Sequence, residues 1–126
     1  MRYLQRNIDT ELISWSKDKY MKPLLLRGAR QVGKTSAVRH LAECFEYYVE
    51  IDLNARQDLP PLFNSGYSPL QICQQLSLIV GTPGVEGRTL LFLDEIQSCP
   101  SAIDSLRYFY EQMPRLHLIA AGSLLE

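Results

Sequence analysis

Two kinds of apolar pattern run along this chain, and together they predict its layers. Leu24-Leu25-Leu26, Leu90-Leu91-Phe92-Leu93 and Leu118-Ile119-Ala120-Ala121 are continuous apolar runs, as expected of strands covered on both faces. Residues 46–53 alternate instead, with Tyr47, Val49, Ile51 and Leu53 set against Tyr48, Glu50 and Asp52. Alternation predicts a strand with one semi-polar face, placed at the rim of a sheet whose other three strands lie inside. Between these runs the period becomes helical. Ile8, Leu12 and Trp15 share a face over residues 7–19, and Ala37, Val38, Leu41 and Phe45 form the next stripe. Leu70, Cys73, Leu76 and Val80 form a third, and Ile103, Leu106, Tyr110 and Met113 a fourth.

The punctuation agrees with this division. Pro23 separates the first helix from the strand Leu24–Arg27, Ser68 can cap a helix opening at Pro69, and Gly81, Gly84 and Gly87 end it. Pro100 and Pro114 bracket the last helix, and residues 54–67, with Pro60, Pro61 and Gly66, read as an irregular connection. After a leading helix the order is β-α-β-α-β-α-β. That order predicts an α/β fold with a mainly parallel sheet, right-handed crossovers and helices on both faces.

Composition narrows the function classes. A chain of 126 residues makes one domain with a real core, and 46% hydrophobic with 21% charged residues is ordinary for a soluble globular protein. A net charge of −1 gives no global attraction to nucleic acid or anionic membrane. Arg27, Arg30, Lys34 and Arg39 do cluster, and phosphate binding accounts for most of that cluster. The amino terminus has no apolar signal core and no stretch is long enough to span a membrane, so the expected location is cytoplasmic. Cys44, Cys73 and Cys99 are odd in number, widely spaced and free of any C-x-x-C, which points to reduced thiols. His40 and His117 lack ligand-spaced partners and read as structural.

The chemistry starts at residue 28. Gly28-Ala29-Arg30-Gln31-Val32-Gly33-Lys34-Thr35 matches G-x-x-x-x-G-K-[ST], between an apolar strand and a helical pattern. Strand, glycine loop, helix is the context a phosphate-binding loop requires. The glycines let backbone N–H groups converge on a phosphate chain, and the following helix adds its positive amino end. Gly28 to Ser36 are therefore the expected nucleotide cradle: Gly28, Ala29, Arg30, Gln31, Val32, Gly33, Lys34, Thr35 and Ser36. Lys34 is placed to reach the β- and γ-phosphates, and Thr35 to offer its hydroxyl to Mg²⁺.

About 60 residues on, Thr89-Leu-Leu-Phe-Leu-Asp94-Glu95 is an apolar strand running into two carboxylates. Ligands of parallel sheets gather at the carboxyl ends of the strands, so Asp94 is the candidate Mg²⁺ carboxylate opposite Thr35. Glu95 is the candidate for orienting or deprotonating an attacking water. The last strand ends in Ala121-Gly122-Ser123, where Ser123 is a candidate γ-phosphate sensor. Gln97 reads either as a relay of nucleotide state to a partner or as a plain loop residue, and Asp52 as a surface carboxylate.

Arg27 to Thr35, Leu93-Asp-Glu-Ile-Gln97 and Ala121-Gly-Ser123 together resemble the AAA-type P-loop ATPases of bacteria and archaea, in which this module precedes a C-terminal domain of unknown function. The resemblance implies ATP and Mg²⁺, with Lys34, Glu95 and Ser123 catalytic and Thr35 and Asp94 on the metal. It further implies a three-layer P-loop NTPase core with strand order 1-4-3-2, lacking its last strand beside Leu24–Arg27. Residues 1–20 would be the leading helix and 21–126 the nucleotide-binding core, with the C-terminal domain absent. Family members continue into another strand and an arginine-bearing segment, whereas this sequence stops three residues after Ser123. The expectation is the amino-terminal part of a longer ATPase.

A GTPase would need an N-K-x-D base-reading motif, which the sequence lacks, and no kinase lid or acceptor site is recognisable. The leading expectation is an ATPase core that hydrolyses Mg-ATP slowly in isolation. The rival is a nucleotide-dependent binding module without significant turnover; a third possibility is a fragment with no function. Partners beyond ATP would be a further copy of the chain or another protein, ring assembly resting on family analogy alone. Residues Tyr3 to Asp9 are candidates to pack near the adenine.

Overall fold

A four-stranded parallel sheet forms the middle layer of the computed structural model, which describes residues 2–27 and 33–122, with side chains from residue 8 onward. The elements run α1 (Arg2–Lys17), β1 (Leu24–Arg27), α2 (Gly33–Ala42), β2 (Tyr47–Asp52), α3 (Pro69–Val80), β3 (Thr89–Asp94), α4 (Pro100–Gln112) and β4 (His117–Gly122). Short 3-10 helices at Pro60–Asn64 and Ile96–Ser98 interrupt the loops after β2 and β3. The strand order is β1-β4-β3-β2, as the resemblance implied.

Alternation of side chains divides each strand between two cores. Leu90 and Phe92 of β3 and Ile119 and Ala121 of β4 pack with Leu12 of α1 and Ala37, Val38 and Leu41 of α2. Leu91, Leu93, Leu118 and Ala120 face the other way, onto Ile72, Cys73 and Leu76 of α3 and Ala102 and Phe109 of α4. The result is a three-layer arrangement, with α1 and α2 on one face and α3 and α4 on the other. Continuous apolar runs are thus explained by two buried faces.

Local signals set several boundaries. Ser68 accepts from the Gln71 backbone N–H at 3.2 Å while the Gln71 side chain accepts from the Ser68 N–H at 2.9 Å, a reciprocal capping box. Gly81, at φ +78°, ends α3 in the left-handed conformation and donates back to the Ser77 carbonyl at 2.9 Å. At the other side of the molecule, His117 stacks edge-on against Trp15 and Phe45 and bonds the Ser16 carbonyl at 2.8 Å, fixing α1 to the start of β4.

Five expectations need correction. β1 does not lie inside the described sheet: it pairs with β4 alone, at the edge opposite β2, and Leu24, Leu25 and Leu26 are only half-buried. An apolar run reports helices above and below a strand; it says nothing about neighbours on either side. Leu70 is 54% exposed, because it lies two residues before Ile72 and hence about 200° round the helix from the buried stripe. In α4 the core aromatic is Phe109, at 1% exposure, while Tyr110 turns outward. Phe45 packs against the α2 core from beyond that helix, which ends at Ala42. The leading helix also runs from Arg2 to Lys17 rather than over 7–19.

Candidate functional site

Parallel strands share one carboxyl edge, and here Arg27, Gly122, Asp94 and Asp52 end β1, β4, β3 and β2 side by side. β4 therefore stands between β1 and β3, and the ends of those two strands are two spacings apart, roughly 10 Å. α2 departs from this edge at Gly33. The Lys34 Nζ donates to the Arg27 carbonyl at 3.1 Å, tying the first turn of α2 to the end of β1. Thr35 and Ser36 complete that turn, which holds no acidic residue to offset the positive helix end. Gly28, Ala29, Arg30, Gln31, Val32 and Ser123 lie outside the described residues.

Asp94 faces the same side as α2, since Leu90 and Phe92, two and four residues earlier, pack against that helix. Its Oδ1 accepts from the Glu95 backbone N–H at 2.9 Å. Burial pushes the Asp94 carboxyl above the usual carboxylate range, and the nearby charges of Glu95, Asp52 and Glu50 push it further. Asp52 is its register partner across the β2–β3 ladder, with Oδ1 closing a turn onto the N–H groups of Asn54 and Ala55. The edge is thus a concentration of negative charge beside a helix amino end.

Glu95 stands out by its backbone. At φ 54° and ψ 44° it is the one non-glycine residue with positive φ among the described residues, a conformation that costs about 1–2 kcal/mol. Fully buried Ile96 anchors the turn from the next position, and the Ser98 N–H donates to the Glu95 carbonyl at 3.0 Å. The Gln97 Nε2 donates to Glu95 Oε1 at 2.7 Å. Gln97 Oε1 is itself buried and has no hydrogen-bond partner among the described residues. Strain of this kind at a strand end is characteristic of functional turns. The positive φ and the Gln97 bond were not foreseen; both depend on how the chain turns after β3, for which sequence spacing gives no signal.

Arg39 leaves the basic cluster in which its sequence position places it. Its Nε and Nη2 donate to Glu50 Oε1 and Oε2 at 2.9 and 2.7 Å, and Tyr48 OH donates to Oε1 at 2.6 Å. The Arg39 guanidinium holds the Glu50 carboxyl below its ordinary range, while burial, then the bond to Glu50, pushes the Tyr48 phenol up. This network braces α2 against β2. It is unavailable as a free phosphate-binding cation.

No group of three or more His, Cys, Asp and Glu among the described residues could hold a metal unaided. That is compatible with Mg²⁺, which typically takes one or two protein ligands and completes its octahedron with phosphate and water. One half-buried carboxylate at Asp94 and one hydroxyl at Thr35 suit such a site. No helix among the described residues is long and apolar enough to cross a membrane. Cys73 and Cys99 are buried, Cys44 is exposed, and all three are free thiols. A cavity of about 510 Å³, bordered by Phe63, Tyr67, Asp104 and Tyr108, opens between α3 and α4 on the face away from α2 and includes none of the predicted site residues.

A three-layer parallel α/β sheet, with a Gly-Lys-Thr helix start beside β1 and Asp-Glu at the end of β3, defines a P-loop nucleotide-binding module. Comparison with known families agrees: residues 20–126 match the family model AAA_14, described as an AAA domain, and the chain belongs to that family. Among solved structures, that of C. elegans PCH-2 is similar at 18% identity with a TM-score of 0.49, the match covering 98% of this chain and 37% of that one. No curated protein matches.

Proposed function

We propose that residues 21–126 form the nucleotide-binding core of an ATPase that binds Mg-ATP and directs water onto the γ-phosphate. One observation carries the reading: the carboxyl edge places the Lys34-Thr35 turn of α2 and the Asp94-Glu95 pair on either side of β4, with Asp94 facing α2. Gly28 to Gly33 supply backbone N–H donors to the phosphates, and Lys34 exchanges the Arg27 carbonyl for phosphate oxygens when nucleotide enters. Thr35 and Asp94 hold Mg²⁺, which when bound neutralises charge on the β- and γ-oxygens. The Glu95 carboxylate receives or orients the proton of the attacking water. Ser123, following β4, contacts the γ-phosphate.

Calorimetric titration with Mg-ATP and Mg-GTP, on the wild-type chain and Lys34→Ala, tests the binding half of the proposal. Selective ATP binding that disappears in the variant supports it. Equal binding of both proteins, or preference for GTP, contradicts it.

A further inference from the structure

Among the described residues, Gln97 and His117 each hold a buried side-chain polar atom without a hydrogen-bond partner, and of the two Gln97 lies at the candidate site. It sits in the turn after β3, where its Nε2 spends a 2.7 Å hydrogen bond on Glu95 Oε1 and its buried Oε1 has no partner among the described residues. A residue serving only to stabilise the turn would satisfy its own amide, since a buried carbonyl without a donor is costly. The amide orientation is fixed by chemistry, because the opposite flip would face oxygen to the carboxylate. Glu95, meanwhile, has a left-handed backbone that determines where its side chain starts, and its N–H is taken by Asp94 Oδ1. What remains free in Glu95 is rotation of its side chain, and Gln97 removes it.

We infer that Gln97 is the positioning residue for Glu95: it tethers one carboxylate oxygen and leaves the other directed to the water of the reaction. The inference rests on the ATPase reading above and adds to it a specific dependence of Glu95 on its neighbour's amide. Gln97 touches neither nucleotide nor water in this role. It acts through Glu95 alone, and its effect must vanish when Glu95 is removed.

The test is a double-mutant cycle of steady-state ATP hydrolysis on the full chain, with Gln97→Met, Gln97→Glu, Glu95→Gln and the Gln97→Met/Glu95→Gln pair. Gln97→Met keeps length and removes the donor; it is expected to lower kcat about tenfold with KM for ATP changed less than about twofold. Gln97→Glu, facing one carboxylate with another, is expected to lower kcat further, and it serves as the second probe should the methionine variant fold poorly. In the Glu95→Gln background, Gln97→Met is expected to change the residual rate less than about twofold. Equal losses from Gln97→Met with and without Glu95 would overturn the inference while leaving the ATPase reading standing. Wild-type-like hydrolysis in Glu95→Gln would overturn the inference together with the role given to Glu95, while the ATPase activity itself would stand.

Discussion

The two ends of β3 obey opposite rules. From Leu90 to Leu93 every side chain is at most 3% exposed, divided evenly between the two cores, and each lowers the energy of the fold. One residue later the same strand presents Asp94, whose carboxylate is disfavoured by burial and by three neighbouring acids, and then Glu95 in a strained left-handed turn. The body of the strand is built to persist. Its tip carries unfavourable charge and backbone strain, and the difference separates the scaffold from the candidate site within seven residues.

That contrast can be broken most severely from the body. Phe92→Ala removes a fully buried ring that packs against α2, and equilibrium denaturation should show a loss of about 3–5 kcal/mol. At the tip the sign should reverse. Asp94 has a folded-state pKa above its unfolded value, so its contribution is present below the unfolded pKa and is lost as pH rises through the folded one. At neutral pH the charged carboxylate therefore costs stability, and Asp94→Asn should raise the melting temperature of the nucleotide-free chain while weakening Mg²⁺-dependent nucleotide binding. A lowered melting temperature would mean the carboxylate is a structural brace.

Glu95→Gly relieves the backbone strain, since glycine takes positive φ freely, but also removes the acceptor of the Gln97 bond; measured against Glu95→Ala, which loses the same bond and keeps the strain, it should be more stable by about 1 kcal/mol in denaturation, with hydrolysis lost in both. The smallest effect should come from the exposed side of the network. Arg39→Met removes a guanidinium whose side chain is 61% exposed, and should lower the melting temperature only slightly. Glu50 has a lowered folded-state pKa, so this contribution is present above the unfolded carboxylate pKa and disappears as pH falls through the folded one. Wild-type and variant stabilities measured against pH should converge in acid.

Most of the scaffold was legible because burial leaves a period in the sequence. The continuous runs at β3 and β4, the alternation in β2 and the Ser68-Pro69 start of α3 each correspond to an observed element. Failures came where period is silent. Leu70 and Tyr110 are apolar or aromatic residues one step out of phase with their buried stripes, and β1 shows that two covered faces do not imply two paired edges. At the site, the placement of Asp94 and Glu95 at a strand end could be read from an apolar run meeting two carboxylates. The tether from Gln97 and the capture of Arg39 by Glu50 could not, because both are set by three-dimensional turns and by a partner 11 residues away.

The most direct test of the central claim is phosphate release from Mg-ATP by the wild-type chain and by Glu95→Gln, with ATP binding measured on both. The account predicts measurable turnover in the wild type, a loss of at least about 100-fold in the variant, and ATP affinity retained by both. Turnover that survives the substitution would contradict the role of Glu95, and tight ATP binding with no turnover in either protein would make the module a nucleotide-dependent switch.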